Sequence, residues 1–128
     1  MHVLASINDG IWYNSEDDKE IDLDELYHVD FIKCITYDSE DQSFFFLCNK
    51  KKENLGFYLF KFKEQNPLNY EEITVWNSRL DIDDCSISIL RGQDQVSKEY
   101  FKELVISYKT IYINTYNVVV LDISGPPD

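Results

Sequence analysis

The chain has 128 residues, 44% of them hydrophobic and 15% aromatic, so it is too apolar for a disordered polymer and long enough to bury a core. Four Gly and three Pro exclude collagen-like and low-complexity classes. The formal net charge of −12 is lopsided: residues 1–49 carry twelve Asp/Glu against Lys19 and Lys33, and residues 50–128 carry twelve against ten Lys/Arg. This field argues against direct binding to nucleic acid or anionic lipid and favours a basic protein partner.

In chain order, Val3 to Ile7 reads as a strand, Asn8-Asp9-Gly10 as a turn and Ile11-Trp12-Tyr13 as the returning strand of a hairpin. An acidic stretch, Glu16 to Asp30, follows, with eight carboxylates and Lys19 as its sole lysine or arginine. Its first half, Asn14 to Glu20, reads as a solvated loop. In its second half Asp22 is placed to cap a short helix, with Asp24 and Glu25 in the first turn.

Phe31 to Lys63 reads as a three-strand meander. Phe31 to Tyr37 is rich in aromatic and β-branched residues. Phe44-Phe45-Phe46-Leu47 is an apolar run suited to a strand buried on both faces, and Tyr58, Phe60 and Phe62 alternate along the third strand. Glu72 to Trp76 and Cys85 to Leu90 are further strands, the second ended by Gly92. Asp94 as N-cap, with Val96, Tyr100 and Leu104 at helical spacing, predicts a helix over 95–104. Val105 to Ile113 and Tyr116 to Ile123 close the domain as strands, with a short flexible tail at 124–128.

The expected fold class is therefore α+β, mainly β. It is a predominantly antiparallel sheet of about eight strands, sandwich or curved, with one helix near 95–104, in a single domain spanning 1–128.

Motifs for chemistry are sparse. His2 and His28 are the only imidazoles, and His28 reads as an ordinary surface histidine. Cys34, Cys48 and Cys85 have no metal or redox spacing and read as reduced thiols in strands, which suits a cytoplasmic protein. The first ten residues lack the basic and apolar regions of a signal peptide. There is no Gly-rich phosphate loop, no GxSxG and no HExxH. The carboxylate runs lack the EF-hand order of ligands, so neither catalytic residue, metal nor cofactor is expected. The phenylalanines of the meander read as core, with Lys50, Lys51, Lys52, Lys61 and Lys63 guarding a turn and an edge strand rather than forming a nucleic-acid groove.

These observations lead to an expectation of an acidic protein-binding inhibitor. The type is the immunity protein, which neutralises a basic, nuclease-like toxin or nucleic-acid enzyme by occluding its active cleft. Glu16, Asp17, Asp18, Glu20, Asp22, Asp24 and Glu25 would meet the partner's cations, and Trp12, Tyr13 and Tyr27 would be the buried anchors. The alternative is a non-catalytic adaptor or structural domain of a larger assembly, pairing through an exposed sheet edge at Val105–Ile113 or Tyr116–Ile123.

Overall fold

A computed structural model describes residues 5–8, 10–30, 34–50, 56–76 and 81–124. The expectations placed on His2, Val3, Leu4, Asp9, Phe31, Lys33, Lys51, Lys52 and the tail at 125–128 lie outside the described residues. The chain divides into two compact units, Met1–Leu80 and Asp81–Asp128.

The first unit opens with β1 (Ala5–Asn8), β2 (Ile11–Asn14) and β3 (Lys19–Asp22), an antiparallel sheet in the order β1-β2-β3. Gly10 makes the first turn at φ +76, where a Cβ would also come within 3.1 Å of the Asp24 carboxylate. The acidic stretch that the sequence suggests is a loop to Glu20 is instead a tight turn feeding β3. The predicted cap is present: the Asp22 carboxylate accepts from the N–H groups of Asp24 (3.0 Å) and Glu25 (3.4 Å) and starts the one-turn helix α1 (Leu23–Leu26).

The end of α1 is as well defined as its start. His28 takes the left-handed conformation (φ 54), its N–H donates to the Glu25 carbonyl and the Val29 N–H to the Asp24 carbonyl. This is a Schellman closure, with Val29 and Leu23 supplying the apolar contact inside the core. Val29 then bridges to Lys50, and the Asp30 N–H donates to the Asn49 carbonyl, which ties this corner to the second sheet.

That sheet is a four-stranded meander, β4 (Cys34–Asp38), β5 (Ser43–Asn49), β6 (Phe57–Lys63) and β7 (Tyr70–Trp76), paired in sequence order. Cross-strand pairs Phe44–Phe62, Phe46–Phe60 and Cys48–Tyr58 line one face. Against it pack Trp12 from β2 and Leu23, Tyr27 and Val29 from the α1 corner. Tyr27 stacks on Phe60 and Phe46, with ring centroids 5.1 and 5.6 Å away, and its hydroxyl donates to the Pro67 carbonyl. Phe45, Leu47, Phe57 and Leu59 alternate onto the opposite face and are buried too, so β5 is buried on both sides as its unbroken apolar run requires.

The second unit is a three-stranded antiparallel sheet of β8 (Ile82–Gln93), β9 (Tyr100–Thr110) and β10 (Asn117–Asp122), in the order β10-β9-β8. The expected helix over 95–104 is absent. Asp94 caps a hairpin turn instead: its Oδ1 accepts from the N–H groups of Val96 (2.8 Å) and Ser97 (2.9 Å), and its own N–H donates to the Glu99 carbonyl. Val96 and Tyr100 stand in solvent, and Leu104 is buried in β9. Gly92 does not end β8 but lies within it, where a Cβ would come within 2.5 Å of the Phe101 ring on the paired strand.

The chain is thus mainly antiparallel β, with ten strands in three sheets and one short helix among the described residues, not eight strands in a sandwich or single curved sheet. Among the described residues no helix is long and apolar enough to cross a membrane.

Candidate protein-binding surface

The acidic stretch is organised by the register of the first sheet. Ile7, Trp12 and Ile21 share the face that packs on the meander. The opposite face carries Ser6, Ile11, Tyr13, Glu20 and Asp22, because Tyr13 pairs with Glu20 and Ile11 with Asp22. Glu16, Asp17 and Asp18 form the exposed turn that joins β2 to β3. That turn is held from beneath by the buried Asn14, whose Oδ1 accepts from the N–H groups of Glu16 (2.9 Å) and Asp17 (3.4 Å). It folds back onto the sheet because the Tyr13 hydroxyl donates to Asp18 Oδ1 at 3.0 Å. The hydrogen bond to Asp18 and that residue's charge push the Tyr13 pKa up.

Glu16, Asp17, Asp18, Glu20, Asp22 and Glu25 are exposed, and none makes an ion pair among the described residues. Asp24 differs: it is partly buried beneath Gly10. Within the unit Met1–Leu80, residues 1–30 carry nine carboxylates against Lys19. Residues 31–80 carry seven against seven Lys/Arg. The charge excess of this unit therefore belongs wholly to its first sheet and α1 corner.

Two of the three expected anchors are not at the surface. Trp12 is 2% exposed and Tyr27 3% exposed, both within the core cluster. The indole Nε1–H of Trp12 donates to the Glu64 carbonyl at 2.7 Å, so its polar edge is already used. Their contribution is to hold the acidic sheet in place. The apolar groups that do reach the outer face are Tyr13, partly exposed, and Ile11, 39% exposed. Sequence reasoning missed Ile11 and Asn14. The alternation Ile11-Trp12-Tyr13-Asn14 contains the needed signal, because one large aromatic facing inward puts the residues on either side of it outward.

Among the described residues, Lys50, Lys61 and Lys63 of the meander do not form a cationic groove. Lys61 and Lys63 both pair with Asp41, at 3.0 and 2.6 Å, and Lys50 pairs with Glu72 while its ammonium lies 4.8 Å from the Tyr58 ring centre. β6, which carries Lys61 and Lys63, is interior to its sheet and not an edge. Burial alone would raise the Asp41 carboxyl, but hydrogen bonds from Lys63 and Lys61 outweigh it and hold the group far below the usual carboxylate range.

Burial pushes the Cys48 thiol far up, which keeps it protonated. His28 is exposed at the Schellman turn. No group of three or more His, Cys, Asp or Glu among the described residues is arranged to hold a metal ion. Comparison of the chain with protein-family models, with curated proteins and with solved structures returns no match.

Proposed function

We propose that this chain is an acidic protein-binding inhibitor of the immunity type, acting in the cytoplasm on a basic partner such as a nuclease-like toxin. The outer face of the β1-β2-β3 sheet and its turn form the contact surface. Glu16, Asp17, Asp18, Glu20, Asp22 and Glu25 meet lysines and arginines around the partner's nucleic-acid cleft, while Tyr13 and Ile11 supply the apolar centre. The observation that carries the reading is that these six exposed carboxylates find no cation within the described part of their own chain. A field that is not quenched internally is available to steer a partner.

The test is kinetic. A variant with E16Q, D17N, D18N, E20Q and D22N should associate with the captured partner about tenfold more slowly at low salt, with a flattened salt dependence and a smaller change in dissociation. Equal association rates for the two proteins, or a partner without a basic surface, would overturn the reading.

The adaptor reading keeps one specific support. Of its two candidate edges, Val105–Ile113 falls largely on β9, which is central, whereas Tyr116–Ile123 contains the edge strand β10.

A further inference from the structure

The β10 strand is an edge without the usual protections. Asn117-Val118-Val119-Val120-Leu121-Asp122 has no charge, proline or bulge between its two ends. Natural edges of this length normally carry a lysine, a proline or a bulge that stops further pairing. Among the described residues β10 ladders with β9 alone. Val118 is 63% exposed and Val120 51% exposed.

The direction of the free backbone groups follows from one hydrogen bond. The Ile123 N–H donates to the Lys102 carbonyl at 2.9 Å, so Ile123 points toward β9. Along a strand the N–H and C=O of alternate residues point to opposite sides. Asn117, Val119 and Leu121 therefore bond inward, and Val118, Val120 and Asp122 present their N–H and C=O groups outward.

We propose that this edge pairs with the same edge of a second copy of the chain, antiparallel, across a two-fold axis at Val119. Parity restricts the choice, because outward-pointing residues must face outward-pointing residues. An axis at Val119 sets Val118 opposite the partner's Val120 on both sides and forms about four new backbone hydrogen bonds, two for each such pair. Val119 faces the partner's Val119 as a non-hydrogen-bonded pair, and Asn117 faces the partner's Leu121. Asp122, the only charged residue of the strand, falls opposite the partner's Tyr116, so no like charges meet.

An axis one residue further, at Val120, would set both aspartates against Val118. Both axes satisfy parity and keep like charges apart; the axis at Val119 is preferred because it spares each aspartate a purely aliphatic neighbour, and the strand carries no charge between its ends that would select a different partner. The valine face of β10 would then continue across a six-stranded sheet. This contact is independent of the acidic surface. It must overcome repulsion between two chains of net charge −12, so it tightens with added salt, opposite to binding of a basic partner.

The experiment is sedimentation of the full chain over about a hundredfold range of concentration at low and high salt. The wild type should reversibly dimerise, more strongly at high salt, and V118K/V120K should stay monomeric with unchanged far-ultraviolet circular dichroism. A register test stands beside it. V119C should form a disulfide-linked dimer on mild oxidation, because directly opposed non-hydrogen-bonded residues lie within disulfide reach, and V118C should not. A wild type that is monomeric throughout, a dimer that survives V118K/V120K, or linkage at V118C but not V119C would each overturn the proposal. Should the lysine variant fail to fold, the two cysteine variants decide.

Discussion

Trp12 gives the sharpest check on how the acidic sheet is held. Its indole is 2% exposed, shares a cluster with Phe46, Phe60 and Phe62, and donates to the Glu64 carbonyl at 2.7 Å. Trp12→Phe keeps an aromatic ring but removes the donor. The carbonyl left without it costs about 1–2 kcal/mol and the smaller ring about 1 kcal/mol more, so the expected loss is about 2–3 kcal/mol. Trp12→Ala opens the whole site and should cost about 5 kcal/mol, the upper end for a large aromatic. Small domains are stable by about 5–15 kcal/mol in all, so the alanine variant approaches unfolding.

Urea titration followed by circular dichroism gives the difference, with tryptophan fluorescence as a second probe whose coincidence licenses a two-state treatment. Trp76 is 53% exposed, so Trp12 is the emitter expected to shift most on unfolding; the fluorescence check is made on the wild type and on Trp76→Phe, and Trp12→Phe, which keeps Trp76, is compared with the wild type by circular dichroism. A Trp12→Phe variant that loses less than about 0.5 kcal/mol would refute the assignment of Trp12 to the core, since that is the range of ordinary surface changes.

Asp41→Asn should lower the urea midpoint at neutral pH by removing the carboxylate that Lys61 and Lys63 share. The folded Asp41 pKa lies below its unfolded value of about 3.9, so its contribution is present above that pH and disappears as pH falls further. The gap between wild type and variant should therefore close below about pH 4, and a gap independent of pH would contradict the pairing. His28→Gly should raise the melting midpoint, because a non-glycine residue in the left-handed region costs about 1 kcal/mol. A lowered midpoint in thermal denaturation would show that the imidazole makes contacts worth more than this backbone strain.

Much of the first unit was legible because its signals are local. The meander announces itself through alternating aromatics and an unbroken apolar run. Asp22 caps α1 as its position before Leu23-Asp24-Glu25-Leu26 predicts. The failure at 95–104 has an equally local cause. Val96, Tyr100 and Leu104 are spaced by four, which fits a period of 3.6 and a period of 2 alike. An aspartate that accepts from the N–H groups two and three residues on serves a helix start and a hairpin turn equally well. The flanking strands β8 and β10 resolved the ambiguity, and they lie outside any window that reads only 95–104.

The sequence by itself determined the β character of the chain, the acidity of its first thirty residues and the cap of its short helix, since each depends on neighbours a few positions apart. Tertiary structure decided which aromatics are core and which reach the surface. Alternation divides Ile11-Trp12-Tyr13-Asn14 into two faces but does not say which face meets another sheet. The burial of Trp12 in the core cluster that holds Phe46 and Phe60 settles that and sends Ile11 and Tyr13 outward with the carboxylates. Which strand of a sheet lies at its edge is likewise a matter of long-range pairing, and it separates the exposed β10 from the enclosed β9 although both read as strands of valine, isoleucine and leucine.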